Sequence, residues 1–118
     1  MNVNEAKREY RKQFISTASP AEIEIMLLQE SILSLKKAKA ARGHFERNDF
    51  FQKAQQYLLE IIPFINQEIK EGEAAVHAYL HVNNLLIEAN IEKNEQSCEE
   101  ALLLLHELLY AWKESILK

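Results

Sequence analysis

The chain has 118 residues, a formal net charge of −4, and only 2 Gly and 2 Pro. A chain this long fits one domain and buries roughly two thirds of the surface its unfolded form exposes. So few turn residues exclude an all-β fold, and the acidic balance disfavours a nucleic-acid partner. The single Cys98 leaves no intrachain disulfide to form.

Residues 1–18 read as a mobile N-terminal arm. They are polar at first, turn mildly apolar at Phe14 and Ile15, and leave room for a short helix around Glu5 to Arg11. Ser19-Pro20-Ala21-Glu22 is the sharpest local signal. Ser19 suits an N-cap, Pro20 the first helical position, and Glu22 the far side of a capping box. The helix it opens is predicted over 20–42, with Ile25, Leu28, Ile32 and Leu35 as its stripe and Gly43 as its end. Asn48 and Asp49 are the next capping residues. They predict a helix over 49–70 that buries Phe50, Ala54, Tyr57, Leu58, Ile61, Ile62, Ile65 and Ile69. Pro63 lies inside that run, and a kink is expected there because the apolar period resumes beyond it. Gly72 breaks the chain before a helix over 73–91 striped by Val76, Tyr79, Leu80, Leu86 and Ile87. The last helix, 95–117, is capped by Asn94, or by Ser97 with Glu100. It runs through Ala101, Leu102, Leu105, Leu109, Trp112 and Ile116. Short connections make neighbouring helices antiparallel. The expected fold is all-α, an antiparallel up-down four-helix bundle over 19–118 with a short N-terminal arm or helix.

No arrangement for catalysis stands out. His44, His77, His81 and His106 have no acid three positions before them, so the Glu-x-x-His pattern of di-iron bundles is missing. Glu73, His77 and His81 share a helix face but make a weak metal strip. His77 and His81 are not followed by the residues of a phosphotransfer histidine. Cys98 reads as structural. The basic group Lys36, Lys37, Lys39 and Arg42 falls where cations complement a helix C-terminus. Glu22, Glu24, Glu99 and Glu100 sit near helix starts and read as solvated. The expectation is no enzyme, no cofactor and no metal. No leader-like segment and no run of about 18 apolar residues is present, so a cytoplasmic protein with no membrane partner is expected.

Two helices carry more apolar surface than one stripe needs. Ile23 and Ile25 to Leu28 reach around much of one helix, and Leu102 to Leu105 are four successive leucines. Residues about 100° apart cannot all face one core. Either these helices bury several faces, or a groove takes an amphipathic partner segment.

Tyr10-Arg11-Lys12-Gln13-Phe14-Ile15-Ser16-Thr17-Ala18-Ser19-Pro20, leading into Met26-Leu27, resembles the N-terminal signature of the FliS family of flagellin export chaperones. Lys53-Ala54-Gln55, Glu88-Ala89-Asn90-Ile91 and Ala111-Trp112-Lys113 follow in the family's order. The chain departs from the family at Leu28-Gln29-Glu30 and at Asn84-Leu85, where members carry a basic pair. That implies a divergent member with altered partner preference. The resemblance implies a cytoplasmic flagellar secretion chaperone that binds the C-terminal amphipathic segment of flagellin. It would prevent premature polymerisation and aid delivery to export gate components; a homodimer is compatible with it. The alternative is a non-catalytic scaffold or regulatory bundle for another flagellar or transcriptional partner. On this reading Tyr10 and Ile15 belong to the arm, with Ile15 as an exchangeable plug. Met26, Leu27 and Leu33 form one wall of a groove, and Tyr79, Val82, Leu86 and Asn90 form the other. Leu33, Tyr79 and Leu86 equally suit a core, Asn90 a helix C-cap, and Trp112 a core anchor.

Overall fold

A computed structural model describes residues 2–117, with side chains through Ser115. Five helices follow one another: α1 Val3–Thr17, α2 Pro20–Ala40, α3 His44–Ile61, α4 Lys70–Ile91 and α5 Glu95–Leu117. A 3₁₀ turn over Ile62–Phe64 follows α3, and no strand occurs among the described residues. The arm is therefore a helix of 15 residues, far longer than Glu5 to Arg11. Asn2 caps it, its side-chain oxygen accepting from the Glu5 N–H at 2.8 Å.

The capping box at Ser19 forms as the sequence predicts. The Ser19 hydroxyl accepts from the Glu22 N–H at 3.2 Å, and the Glu22 carboxylate accepts from the Ser19 N–H at 3.5 Å. Such a cap is worth about 1 kcal/mol. Gly43 does not end α2. The helix stops at Ala40, and Gly43 is the extended residue from which α3 starts, five residues earlier than expected. Asn48 and Asp49 thus lie inside α3. Asn48 accepts from the Asn90 amide at 2.8 Å, and Asp49 pairs with Lys53 at 3.2 Å.

The kink expected at Pro63 does not occur. The α-helix ends at Ile61. Pro63 has no N–H and its ring crowds the Leu59 carbonyl, so the chain tightens into the 3₁₀ turn instead. Ile65 is buried all the same, as an extended residue whose N–H donates to the Ile62 carbonyl at 3.1 Å. The apolar period beyond Pro63 records burial, not helix. Gly72 does not break the chain either; it sits in the first turn of α4.

Between α4 and α5 the chain turns through Lys93, whose φ of 54° lies in the left-handed region. Asn94 then caps α5, accepting from the Ser97 N–H at 3.2 Å. The Ser97 hydroxyl donates to Glu88 at 3.0 Å. A left-handed lysine costs about 1 kcal/mol that glycine does not. Lys93→Gly should accordingly raise stability by about 0.5 kcal/mol, after the loss to unfolded-chain entropy. Urea unfolding checks this, and a destabilised variant would contradict it.

The main helix interfaces run α2–α3, α3–α4, α4–α5 and α5–α2, so α2 and α4 share no comparable interface. The shared core holds Leu28 and Leu35, Phe51 and Leu58, Tyr79 and Leu86, and Ala101 and Leu105. Phe51, not Phe50, is the buried member of its pair. Ser31 and Ala54 let α2 and α3 approach closely, the Ser31 hydroxyl donating to the Ala54 carbonyl at 2.9 Å. The apolar surplus of α2 has a simple cause, since it packs against α3 on one side and α5 on the other. On α5, Leu105 is buried, Leu102 and Leu104 are half-buried, and Leu103 is 60% exposed.

Candidate functional site

α1 lies on the surface and buries none of its residues. What ties it down is polar. Arg11 donates from Nη1 to Glu30 at 2.6 Å and from Nη2 to Glu60 at 3.3 Å, and its guanidinium lies 5.2 Å from the Tyr57 ring centroid. Burial pushes the Glu30 carboxyl up, and Arg11 partly reverses that. Ion pairs this exposed are worth up to about 1 kcal/mol each. A helix held mainly by such pairs separates at low cost.

Beneath α1 the surface is apolar and open. A cavity of about 340 Å³ between α1 and α2 is lined by Tyr10, Phe14, Glu22, Ile25, Met26 and Gln29. A wider cleft of about 1100 Å³ continues along Val3, Ala6, Lys7, Arg11, Met26, Glu30, Lys53 and Tyr57. Tyr10 lines both cavities yet is 73% exposed. Leu33, 53% exposed, lies seven residues on from Met26, two helical turns along the same face.

The residues expected to form the groove do not share one surface. Tyr10 and Met26 meet in the cleft. Ile15 is exposed on α1 but does not line it; Phe14 does. Leu27, Tyr79 and Leu86 are interior side chains. Val82 is buried at the base of a separate 280 Å³ cavity between α4 and α5, beside Leu104 and Leu108. Asn90 is not a C-cap. It lies within α4, and its amide donates to Asn48 across to α3. The reason is topological: α2 and α4 do not share a seam, so no open groove runs between them. Arg11, Phe14 and Tyr57 went unrecognised as cleft residues. Nothing in the sequence sets Arg11 apart from its neighbours Lys7, Arg8 and Lys12.

Residues 2–118 match the family described as flagellar protein FliS. The chain belongs to the FliS family. The match takes in both α1 and the four helices beneath it, so the whole described fold is the family's unit. Membership implies a flagellar export chaperone. No curated protein matches the chain by sequence. In this FliS family member no helix of the described residues is long and apolar enough to cross a membrane. Among the described residues no group of three or more His, Cys, Asp or Glu is placed to hold a metal ion. His77 stands 3.9 Å from Glu73, both exposed. Burial pushes the Cys98 thiol up, away from the thiolate a nucleophile requires.

One carboxylate departs from expectation. Glu24 is not solvated; it is 2% exposed, and its Oε2 has no hydrogen-bond partner. Burial pushes its carboxyl up to about 7. Nearby, the Trp112 indole N–H donates to the Tyr79 hydroxyl at 2.7 Å, joining α5 to α4.

Proposed function

We propose that this chain binds the C-terminal amphipathic segment of flagellin, keeps it from polymerising prematurely, and delivers it to the export machinery in the cytoplasm. The family match over residues 2–118 carries this reading. The geometry supports it in one respect. An apolar cleft suited to an amphipathic helix lies beneath α1, which itself buries no residue. The client would displace α1 and pack on Ile25, Met26, Tyr57 and Leu33, with Phe14 and Tyr10 as the side chains exchanged. We take α2–α5 as an up-down four-helix bundle that works as a rigid platform, with no catalytic step.

Calorimetry with a flagellin C-terminal peptide tests the assignment. A folded protein that shows no binding would sink it. Arg11→Ala should tighten binding about fivefold, because the client no longer competes with the ion pairs that seat α1. That factor corresponds to about 1 kcal/mol, the upper range for one exposed pair. Unchanged or weaker binding in Arg11→Ala would leave the client assignment standing and move the binding surface away from the cleft.

A further inference from the structure

Near the start of α2, sharing no lining residue with the α1 cleft, lies a further cavity, of about 360 Å³. The start of α2, the chain after Pro63, the start of α4 and Trp112 of α5 enclose it. Its walls are mostly apolar, including Pro20, Phe64, Ile65, Ile69 and Trp112. Two carboxylates, Glu24 and Glu71, also line it, and among the described residues no Lys, Arg or His does.

A buried carboxylate oxygen without a partner is costly, and more so when charged. Packing alone would place a leucine at Glu24, since positions 24, 28, 31, 35 and 38 form one buried line on α2. Glu24 instead lines a cavity large enough for a small ligand group, while 2% exposed and with no hydrogen-bond partner for its Oε2. Apolar walls that carry one buried carboxylate, Glu24, and one exposed carboxylate, Glu71, fit an apolar stem that ends in a cation. A guanidinium prefers a planar, two-oxygen carboxylate face, whereas an ammonium is a compact charge whose three donors point apart. A lysine stem also has one more apolar carbon than an arginine stem to lay along Ile69 and Trp112.

We propose that this cavity is a receptor site for a lysine side chain presented by a partner polypeptide, with Glu24 as its buried counter-charge. The stem would lie along Ile69 and Trp112, and the ammonium would meet Glu24 and Glu71. An ammonium within about 4–6 Å also favours the ionised form of Glu24 that burial otherwise penalises. The site is separate from the α1 cleft and does not depend on flagellin being the client.

The test is a ¹H–¹⁵N NMR titration of the full chain with Ac-Ala-Ala-Lys-Ala-Ala-NH₂, its norleucine counterpart, and n-butylammonium. The lysine peptide should shift Glu24, Ile69, Gly72 and the Trp112 indole resonance saturably, at millimolar affinity. The norleucine peptide should bind at least fivefold more weakly. Glu24→Gln, which keeps the shape, should lose that preference, and Glu71→Gln should reduce it. Equal binding of both peptides, or no shift at the cavity, overturns the proposal. Binding of n-butylammonium without the lysine peptide overturns the polypeptide assignment and makes the site one for free amines.

Discussion

Glu24→Gln is expected to match the native chain in stability near pH 4.5 and to exceed it by about 3 kcal/mol at pH 8. Glu24 has an ordinary carboxyl value of 4.5 in the unfolded chain and about 7 in the folded protein, raised by burial. Between those two values the folded protein keeps a proton that the unfolded chain has released. Stability therefore falls as pH rises through this window. It is fully present below 4.5 and lost above about 7. The size follows from about 1.4 kcal/mol per tenfold change in proton affinity. Other groups titrate in the same range, so the native curve alone does not isolate Glu24. The Glu30 carboxyl, also raised by burial, is one of them. The difference between the two proteins removes these contributions. Urea unfolding at pH 4.5, 6, 7 and 8 would show the gap opening with pH. A gap that stays constant across the series would mean that Glu24 is solvated or has found a partner.

The fold was legible where local chemistry and tertiary packing agree. The Ser19 box and the Asn94 cap need only neighbours a few residues away, and both form as read. The apolar stripe of α2 was legible for the same reason, because its period survives burial on two sides. Pro63 shows the opposite case. The spacing of Ile65 and Ile69 beyond it looked helical, yet Ile65 reaches the core from extended backbone and Ile69 stays half exposed. An apolar period marks candidates for burial, not the backbone that carries them or which of them stays exposed. Gly43 was legible as punctuation, but its side of the boundary was not. Glycine suits both a helix end and a helix start, and only the packed neighbours decide.

The site was less legible, because a groove belongs to pairs of helices and the sequence does not state which helices pair. The expected groove took one wall from α2 and the other from α4, as if the two shared a seam. The α2–α3 and α5–α2 interfaces consume the face of α2 instead, and Leu27, Tyr79 and Leu86 go inside. Glu24 was misread for a related reason. Its place near a helix start made a solvated, dipole-favoured role reasonable. The signal that contradicts this was present, since Glu24 lies one turn before Leu28 on the buried line. Charge outweighed position in that reading, and the structure reverses the order.

Gly72→Ala is expected to destabilise the protein by about 3 kcal/mol, against the helix rules. In an ordinary helix this change stabilises by about 1 kcal/mol, since alanine is the better helix former. Gly72 sits in the first turn of α4, buried against the segment that follows Pro63. A Cβ placed there would fall far inside van der Waals contact distance of the Asn66 carbonyl oxygen, and would stand 3.3 Å from the Ile65 Cγ2. The oxygen belongs to the backbone and has no rotamer to adopt. Relief requires residues 65–69 to move away from α4, which also withdraws Ile65 from the core. Overpacking of this kind costs about 1–3 kcal/mol and more when backbone must shift. In a chain of this length 3 kcal/mol lowers Tm by roughly 12 °C. Gly43→Ala is the control, because nothing lies within 4 Å of a Cβ there. It should stay within about 0.5 kcal/mol of the native chain. If Gly72→Ala proved as stable as Gly43→Ala, the 65–69 segment would have to be loosely held. In that event Ile65, Asn66 and Ile69 would not be a fixed wall for the Glu24 cavity. A large loss would instead show that glycine holds that wall in place, and that the cavity is built by close approach of two backbones.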